Sequence, residues 1–300
     1  MLTSSHAESP LQTINHPLLV EKKIDLIIKR DDLLHPTVQG NKWRKLKYNL
    51  LELKRQQCQS LVTFGGAFSN HLYATAMASK LFQIPAHFIV RGPHIDPQNP
   101  TLRFAKACGV NLHPVTRIEY RRRHESDYLA QLQSQFPMAY IIPEGGSNKF
   151  ALQGCQELAQ SLPKSDYLCC AVGSGGTLAG LLSGVDEATQ VLGFAVLKGA
   201  HYLNAEVTKL NPCAATKTNW QILSQFHDGG YGKFSAALWQ FCQHMNHQYH
   251  LPLEPIYSGK MFYGLWQLIQ QDYFPRGSTI VAIHTGGLQG LDGLRYRQLI

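Results

Sequence analysis

A lysine stands where a helix is predicted to begin, and its position favours covalent chemistry. Lys42 follows Gly40 and Asn41 and opens a segment with helical spacing. The positive potential at a helix N-terminus lowers the pKa of a lysine, and Schiff-base chemistry with an aldehyde requires the neutral amine. The alternative is an ordinary solvated lysine, because three further basic residues follow within five positions. Both interpretations stay open on this segment alone.

A glycine-rich segment at 173–177 has the composition of a phosphate-binding loop. Its residues are Gly173, Ser174, Gly175, Gly176 and Thr177. Glycines let backbone amides point at an anion, and a helix that follows adds favourable potential. The segment lacks the Gly-Lys-Ser/Thr ending of a Walker A loop, and Leu178 stands where the dinucleotide fingerprint needs a glycine. A cradle for one phosphate and an ordinary turn between strand and helix remain equal alternatives.

Three further polar residues are candidates for a shared site. Ser69 and Asn70 end a glycine-rich loop and precede a helix predicted from His71. Both residue types cap helices well, so they either cap this helix or point their side chains into a site. Tyr257 is either a buried aromatic residue with a satisfied hydroxyl or a proton carrier.

Two other clusters are given structural interpretations. The arginines at 121–123 are predicted to form a solvated face, since no aromatic residues or known nucleic-acid module accompany them. Four residues able to bind metal fall close together, namely Cys242, His244, His247 and His250. A zinc site needs three or four ligands with supporting partners, and no matching second half is evident. The sequence therefore predicts no metal site.

Short apolar runs predict the strands that must carry these loops. The runs cover residues 61–64, 87–90, 140–142, 167–172, 192–197 and 280–284. Continuous apolar runs are typical of parallel strands buried on both faces, and segments with helical spacing separate several of them. Strands that alternate with helices indicate βαβ units and an α/β fold. In such sheets ligands bind at the carboxyl ends of the strands, where the glycine loops would gather.

Composition narrows the class of protein. The chain has 300 residues, of which 44 % are hydrophobic and 16 % charged, which excludes a disordered or coiled-coil chain. The net charge of +8 suits a nucleic-acid binder or an enzyme for anionic substrates. Seven cysteines without a CxxC pair predict reduced thiols and a cytoplasmic protein. The first 19 residues show no secretory leader, and no apolar stretch is long enough to span a membrane.

Taken together, the segments resemble the 1-aminocyclopropane-1-carboxylate (ACC) deaminase and D-cysteine desulfhydrase family. The matching segments, in family order, are 9–12, 29–33, 40–46, 65–70, 143–148, 173–180, 255–264 and 284–287. The resemblance implies the α/β fold of the tryptophan synthase β subunit, with two open, twisted, mostly parallel sheets flanked by helices. It also implies a large cofactor-binding domain of residues 1–45 plus 150–300. A small lobe, residues 46–149, would close over the site, and the protein would be a homodimer.

The resemblance implies pyridoxal 5'-phosphate as cofactor and assigns residues to it. Lys42 would bond to its aldehyde as a Schiff base. Lys45 and the loop 173–177 would hold the phosphate, Asn70 would contact the ring oxygen, and Thr285 would approach the pyridine nitrogen. Lys42, Ser69 and Tyr257 would form the catalytic set. Substrate contacts would fall on Ser69, Asn70, His71 and Tyr257.

Departures from the family pattern bear on the substrate. His71 and Tyr73 stand where cyclopropane deaminases carry Gln and Arg, and Ala282 stands where they carry a second active-site tyrosine. The missing hydroxyl favours β-elimination from D-cysteine, giving pyruvate, ammonia and hydrogen sulfide. The alternative is ACC deamination to 2-oxobutanoate and ammonia, and a further alternative is a non-catalytic binding protein. The resemblance implies a small amino-acid substrate and neither nucleic acid nor membrane as partner.

Overall fold

The strands of the chain form two sheets. The structure is a computed structural model that describes residues 8–300. In chain order the strands are β1 (Leu11–Thr13), β2 (Asp25–Lys29), β3 (Ser60–Gly66), β4 (Ala86–Arg91), β5 (Asn111–Val115), β6 (Ala139–Ile142), β7 (Tyr167–Val172), β8 (Gln190–Ala195), β9 (Trp220–Leu223) and β10 (Thr279–Ile283).

Helices connect most of these strands. They are α1 (Pro17–Lys22), α2 (Gly40–Arg55), α3 (Asn70–Leu81), α4 (Pro100–Ala107), α5 (Arg117–Arg121), α6 (Ser126–Gln135), α7 (Lys149–Gln160), α8 (Gly176–Leu181), α9 (Leu203–Leu210), α10 (Ala236–Tyr249), α11 (Ser258–Gln270) and α12 (Gly290–Tyr296). Among residues 8–300, no helix combines the length and apolar character needed to cross a bilayer.

Both sheets are mostly parallel. The larger has the strand order β1-β2-β10-β7-β8-β9, with only β1 antiparallel to its neighbour, and the smaller has the order β5-β4-β3-β6 with every pair parallel. The central strand β7 is buried from Leu168 to Val172 because helices cover both faces of the sheet. This burial explains the unbroken apolar runs. The predicted fold class is confirmed.

Helix α2 packs its apolar face on the smaller sheet. Trp43, Leu46, Leu50 and Leu53 share a buried core with residues of β3, β4 and β6. Complete burial of one such leucine contributes roughly 1.5–3 kcal/mol. The predicted domain boundary at 45/46 therefore falls within α2, and the division of the chain stays a prediction. Residues 1–7 of the predicted large domain lie outside the described residues.

Candidate active site

A cleft of about 940 Å³ lies at the carboxyl ends of the parallel strands. The start of α2 and the loops after β3, β6, β7 and β10 contribute to its lining. It brings together these predicted site residues: Lys42, Lys45, Ser69, Asn70, His71, Gly173, Ser174, Gly175, Thr177, Tyr257 and Thr285. Gly176, the remaining one, is buried in the same loop.

The first turn of α2 is fastened to two of these loops. Gly40 has a φ of +54°, and a Cβ there would lie 2.1 Å from the carbonyl oxygen of Thr285, so only glycine fits. The backbone N–H of Asn41 donates to that same carbonyl at 3.3 Å. Its side-chain amide donates to the hydroxyl of Thr177 at 3.0 Å. These contacts hold Lys42 against the loops that follow β7 and β10.

A buried ion pair fixes α2 from the other side. Arg44 donates to both carboxylate oxygens of Asp31, at 3.0 and 3.1 Å, and the side chain of Asp31 is completely buried. The neighbouring Arg30 makes the equivalent paired contact with Asp32, at 2.8 and 2.9 Å. Bidentate pairs of this kind define an orientation as well as a distance. The motif at 29–33 thus orients the helix that carries Lys42.

The amine of Lys42 is suited to nucleophilic chemistry near neutral pH. Its Nζ donates to the side-chain oxygen of Asn41 at 3.1 Å. Desolvation, followed by the positive charge of Lys45, lowers the pKa of Lys42 to about 7. A substantial fraction of the amine is therefore neutral near pH 7. Sequence reasoning attributed a lowered pKa to the helix N-terminus, whereas burial is the largest cause.

The loop after β7 forms a cradle with the geometry of an anion site. The amine of Lys45 donates to the Ser147 hydroxyl at 3.0 Å and to the Gly145 carbonyl at 3.4 Å. The hydroxyls of Ser147 and Ser174 lie 2.7 Å apart. A Cβ on Gly176 would lie 2.5 Å from the Ser147 hydroxyl and 3.0 Å from the amine of Lys45. One ammonium and two hydroxyls thus face a space that only glycine leaves open, a donor set that fits phosphate.

Ser69 has the contacts of a helix cap and also lines the cleft. Its hydroxyl accepts the backbone N–H of Leu72 at 3.3 Å, which caps α3. The side-chain amide of Asn70, the next residue, packs on Gly287, where an added Cβ would lie 2.6 Å from its nitrogen. The two interpretations left open by the sequence are therefore compatible, since a capping serine also lines the cleft.

His71 forms a neutral wall of the cleft. It is only 2 % exposed, and its Nε2 lies 2.7 Å from the hydroxyl of Thr63. Because that hydroxyl donates to the carbonyl of Ile142 at 2.9 Å, Nε2 is assigned as the protonated nitrogen that donates to Thr63. Burial, with the charges of Lys42 and Lys45, lowers the pKa of His71 to about 3. Contact with substrate stays a prediction for this residue.

Tyr257 sits on a turn built around a buried carboxylate. Glu254 is completely buried and accepts the backbone N–H groups of Ile256 at 2.7 Å, Tyr257 at 3.0 Å and Ser258 at 2.7 Å. Burial nevertheless raises the pKa of Glu254 to about 7. Burial, followed by the neighbouring Tyr231, holds the pKa of Tyr257 well above its usual value. Tyr257 is thus a protonated phenol at the cleft.

The interpretation of 121–123 as a solvated face is wrong for Arg123. Arg121 is exposed, but Arg123 lines the cleft and forms a 2.6 Å ion pair with Glu144. The hydroxyl of Tyr120 donates to the same carboxylate at 2.7 Å. Arg123 also lies 5.0 Å from the centre of the Tyr120 ring. These contacts make Arg123 part of the cleft wall.

The structure separates the residues of the predicted cysteine and histidine cluster. Cys242 lies on the buried face of α10 and belongs to the core, whereas His244, His247 and His250 are exposed. In the part of the chain that the structure describes, no group of three or more possible ligands could hold a metal ion. Ala282 is completely buried within β10, in the core of the larger sheet.

Sequence reasoning missed several residues of the site. Ser147 lies in a glycine loop, 145–148, that was recognisable from its composition. Glu254 precedes a proline and the helix α11, a pattern typical of a carboxylate that accepts free N–H groups at a helix start. Tyr231 carries no local signal, because only the folded chain brings it beside Tyr257.

A parallel α/β fold with a low-pKa lysine and a phosphate cradle at its strand ends defines a class of enzyme that holds a phosphorylated aldehyde cofactor. The chain belongs to the pyridoxal-phosphate dependent enzyme family, whose model matches residues 3–286. The predicted cofactor is therefore confirmed, and the chain is an enzyme rather than a non-catalytic binding protein.

Comparison with known proteins confirms the resemblance to one group of this family. The chain is 30 % identical to a putative ACC deaminase of Pyrococcus horikoshii, covering 94 % of this chain and 90 % of that protein. It is also 30 % identical to a bifunctional, mitochondrial D-cysteine desulfhydrase/ACC deaminase of Arabidopsis thaliana, with coverage of 96 % and 78 %. A crystal structure of an ACC deaminase homologue superimposes with a TM-score of 0.81 at 28 % identity, covering 98 % of this chain and 93 % of that one.

Proposed function

We propose that this enzyme eliminates the thiol from D-cysteine, so that D-cysteine and water give pyruvate, ammonia and hydrogen sulfide. The observation that carries this proposal is that an amine of pKa about 7 and a protonated phenol, Lys42 and Tyr257, line one cleft. The first can accept a proton and the second can donate one. The Arabidopsis relative, named for both activities, supports the same reaction.

We assign the cofactor to the residues whose chemistry fits it. Lys42 would bond to the aldehyde, while Lys45 and the loop 173–177 would hold the phosphate. Asn70 would contact the ring oxygen, and Thr285 would lie towards the ring nitrogen. When bound there, pyridoxal phosphate supplies a ring that accepts electrons from the substrate Cα.

The protein groups then account for the two proton movements. The amine of Lys42, released by the substrate amine, takes the proton from Cα. The bond between Cβ and sulfur breaks, and the sulfur leaves with the electron pair and takes a proton from the phenol of Tyr257. The raised pKa of Tyr257 keeps that proton in place until sulfur departs. Ser69 and Asn70, at the start of α3, orient the substrate carboxylate.

The alternative is deamination of ACC to 2-oxobutanoate and ammonia. The names of the Pyrococcus relative and of the superimposed structure favour it. ACC has no proton on Cα, so its ring must be opened by a nucleophile or by proton removal at a ring carbon. Either route needs a further acid–base group, and Ala282 offers only a buried methyl where cyclopropane deaminases carry a second tyrosine.

A substrate panel tests the proposal. Protein loaded with pyridoxal phosphate is assayed for keto acids from D-cysteine, L-cysteine, D-serine and ACC, with Lys42→Ala as the control. We expect pyruvate and sulfide from D-cysteine and no turnover by the Lys42→Ala variant. Turnover of ACC alone would overturn the proposal and establish the alternative.

We also propose the domain organisation and the cytoplasmic location that the sequence predicts. The four strands of the smaller sheet all fall within residues 46–149, which supports a small lobe inserted between residues 1–45 and 150–300. All seven cysteines are free thiols, which supports a cytoplasmic protein. A homodimer stays a prediction, and light scattering during gel filtration would report twice the mass of one chain.

A further inference from the structure

Lys260 is a buried amine that the proposed reaction does not use. It lies on α11, three residues after Tyr257, and is only 1 % exposed. Its Nζ donates to the carbonyl of Gly230 at 2.6 Å and reaches the carbonyl of Val196 at 3.5 Å. Removing a lysine amine from water is costly unless its hydrogen bonds are replaced. The contact with Gly230 therefore indicates a specific structural task.

The loop that contains Gly230 has a flexible backbone. We call residues 227–233 the Tyr231 loop. Three of its glycines have positive φ angles, 87° at Gly229, 100° at Gly230 and 73° at Gly232. Glycine residues can adopt many backbone conformations, so a loop rich in them is flexible unless other contacts hold it. The carbonyl of Gly230 accepts the N–H of Lys233 at 3.2 Å as well as the amine of Lys260. The carboxylate of Asp228 accepts the N–H of the nearby Ser235 at 2.6 Å, whereas the Gly230 carbonyl anchors the loop to α11.

The residue after this anchor contacts Tyr257. The rings of Tyr231 and Tyr257 meet edge to face, with centroids 5.9 Å apart and planes inclined at 69°. On another side of the Tyr257 ring, its Cε1 atom lies 3.1 Å from where a Cβ on Gly173 would stand. The backbone at Gly173 and the ring of Tyr231 therefore both limit where the phenol of Tyr257 can lie.

We propose that Lys260 is a positioning residue for Tyr257 and acts through the Tyr231 loop. Its amine fixes the Gly230 carbonyl, and this contact holds the ring of Tyr231 against that of Tyr257 above the cleft. The catalytic part of this inference rests on the proposed role of Tyr257 as proton donor, whereas the anchoring of the loop does not.

A double-mutant cycle tests whether Lys260 acts on Tyr257 through Tyr231. Lys260→Met removes the amine at similar length, and Tyr231→Ala removes the ring that the loop presents. We expect each change to lower kcat for D-cysteine about tenfold with a smaller effect on KM, because proton donation acts in the transition state. The double variant should be no slower than the slower single variant, since both changes break one chain of contacts. Independent, multiplied losses would overturn the proposal.

Proteolysis tests the anchoring without any turnover. Lys233 is exposed on the loop, so trypsin reports how often the loop opens. We expect Lys260→Met to speed cleavage after Lys233 about tenfold, and Lys260→Gln, which keeps an N–H donor, to restore much of the protection. The matched control is Lys198→Met, because Lys198 packs its Cβ 3.3 Å from the Cβ position of Gly230 but makes no hydrogen bond to the loop. Unchanged cleavage in Lys260→Met, or equal acceleration in the control, would overturn the anchoring.

The outcomes separate this inference from the proposed function. If the wild-type protein does not convert D-cysteine, the proposed function fails, and the cleavage rates still decide whether Lys260 anchors the loop. If Lys260→Met does not fold, Tyr231→Ala remains decisive. Wild-type kcat in Tyr231→Ala would show that the loop does not position Tyr257.

Discussion

Replacing Asp31 with asparagine should destabilise the fold and weaken cofactor binding together. Asp31 is completely buried and accepts two hydrogen bonds from Arg44, whose side chain is 14 % exposed. Loss of one partner from a buried ion pair costs about 3–5 kcal/mol because the other charge stays uncompensated. The partial exposure of Arg44 places Asp31→Asn near 3 kcal/mol, at the lower end of that range. Since Arg44 follows Lys42 by two residues, the loosened helix start should also bind pyridoxal phosphate more weakly.

Urea unfolding of the cofactor-free protein measures this cost. With a slope of about 3 kcal/mol/M, a loss of 3 kcal/mol lowers the urea midpoint by about 1 M. The matched control is Asp292→Asn, because Asp292 forms a 2.9 Å ion pair with Arg295 in which both side chains are more than half exposed. Exposed pairs contribute about 0–1 kcal/mol. Equal midpoints for Asp31→Asn and Asp292→Asn would refute the argument that the Asp31 pair fixes α2.

Three other predictions follow from the cleft. The pKa of Lys42 is lowered to about 7, so the rate at which added pyridoxal phosphate binds to the protein should fall about tenfold per pH unit below pH 7. The rate is measured from the visible absorbance that the cofactor gains on binding. A rate independent of pH between 5 and 7 would contradict this prediction. Gly176→Ala places a Cβ 2.5 Å from the Ser147 hydroxyl. Fluorescence titration should therefore show that pyridoxal phosphate binds at least about tenfold more weakly, a loss of about 1.4 kcal/mol. Unchanged affinity would show that Gly176 is not part of the phosphate-binding loop. The lowered pKa of His71, about 3, means that only the unfolded chain binds a proton there between about pH 6.5 and 3, so stability is lost as the pH falls through that window. In urea unfolding, His71→Gln should remove about 1.4 kcal/mol per pH unit of this loss, and identical pH slopes for variant and wild type would contradict the assignment.

Sequence reasoning located strands in which most residues are buried. The runs at 61–64, 87–90, 140–142 and 167–172 lie within β3, β4, β6 and β7. The edge strands β1, β5 and β9 gave no continuous apolar run because each buries at most one residue and carries polar residues among its apolar ones. The sequence did not predict β2 as a strand, because its apolar run, Leu26–Ile28, is only three residues long and is flanked by Asp25 and Lys29. Burial leaves a local apolar pattern even at a sheet edge, as in β6, where three of the four residues are buried.

The residues of the candidate site also differ in whether a local sequence pattern indicates them. The loop 173–177 and the position of Lys42 were recognisable because glycine and helix-start requirements are local to the chain. The importance of Arg123 and Tyr231 depends on partners far along the sequence. Arg123 pairs with Glu144, and Tyr231 meets Tyr257. Such pairs form only when the two sheets and their loops are assembled, so a single sequence does not reveal them.

The central claim is that Lys42 and Tyr257 carry a thiol elimination from D-cysteine. The most direct measurement is the release of sulfide and pyruvate from D-cysteine by protein loaded with pyridoxal phosphate, followed in parallel with the variants Lys42→Ala and Tyr257→Phe. We predict equal amounts of both products from the wild type, none from Lys42→Ala, and a kcat reduced at least about a hundredfold in Tyr257→Phe, the range for one general acid. Sulfide and pyruvate release by Lys42→Ala at the wild-type rate, or no release from D-cysteine by the wild type while ACC is consumed, would contradict the claim.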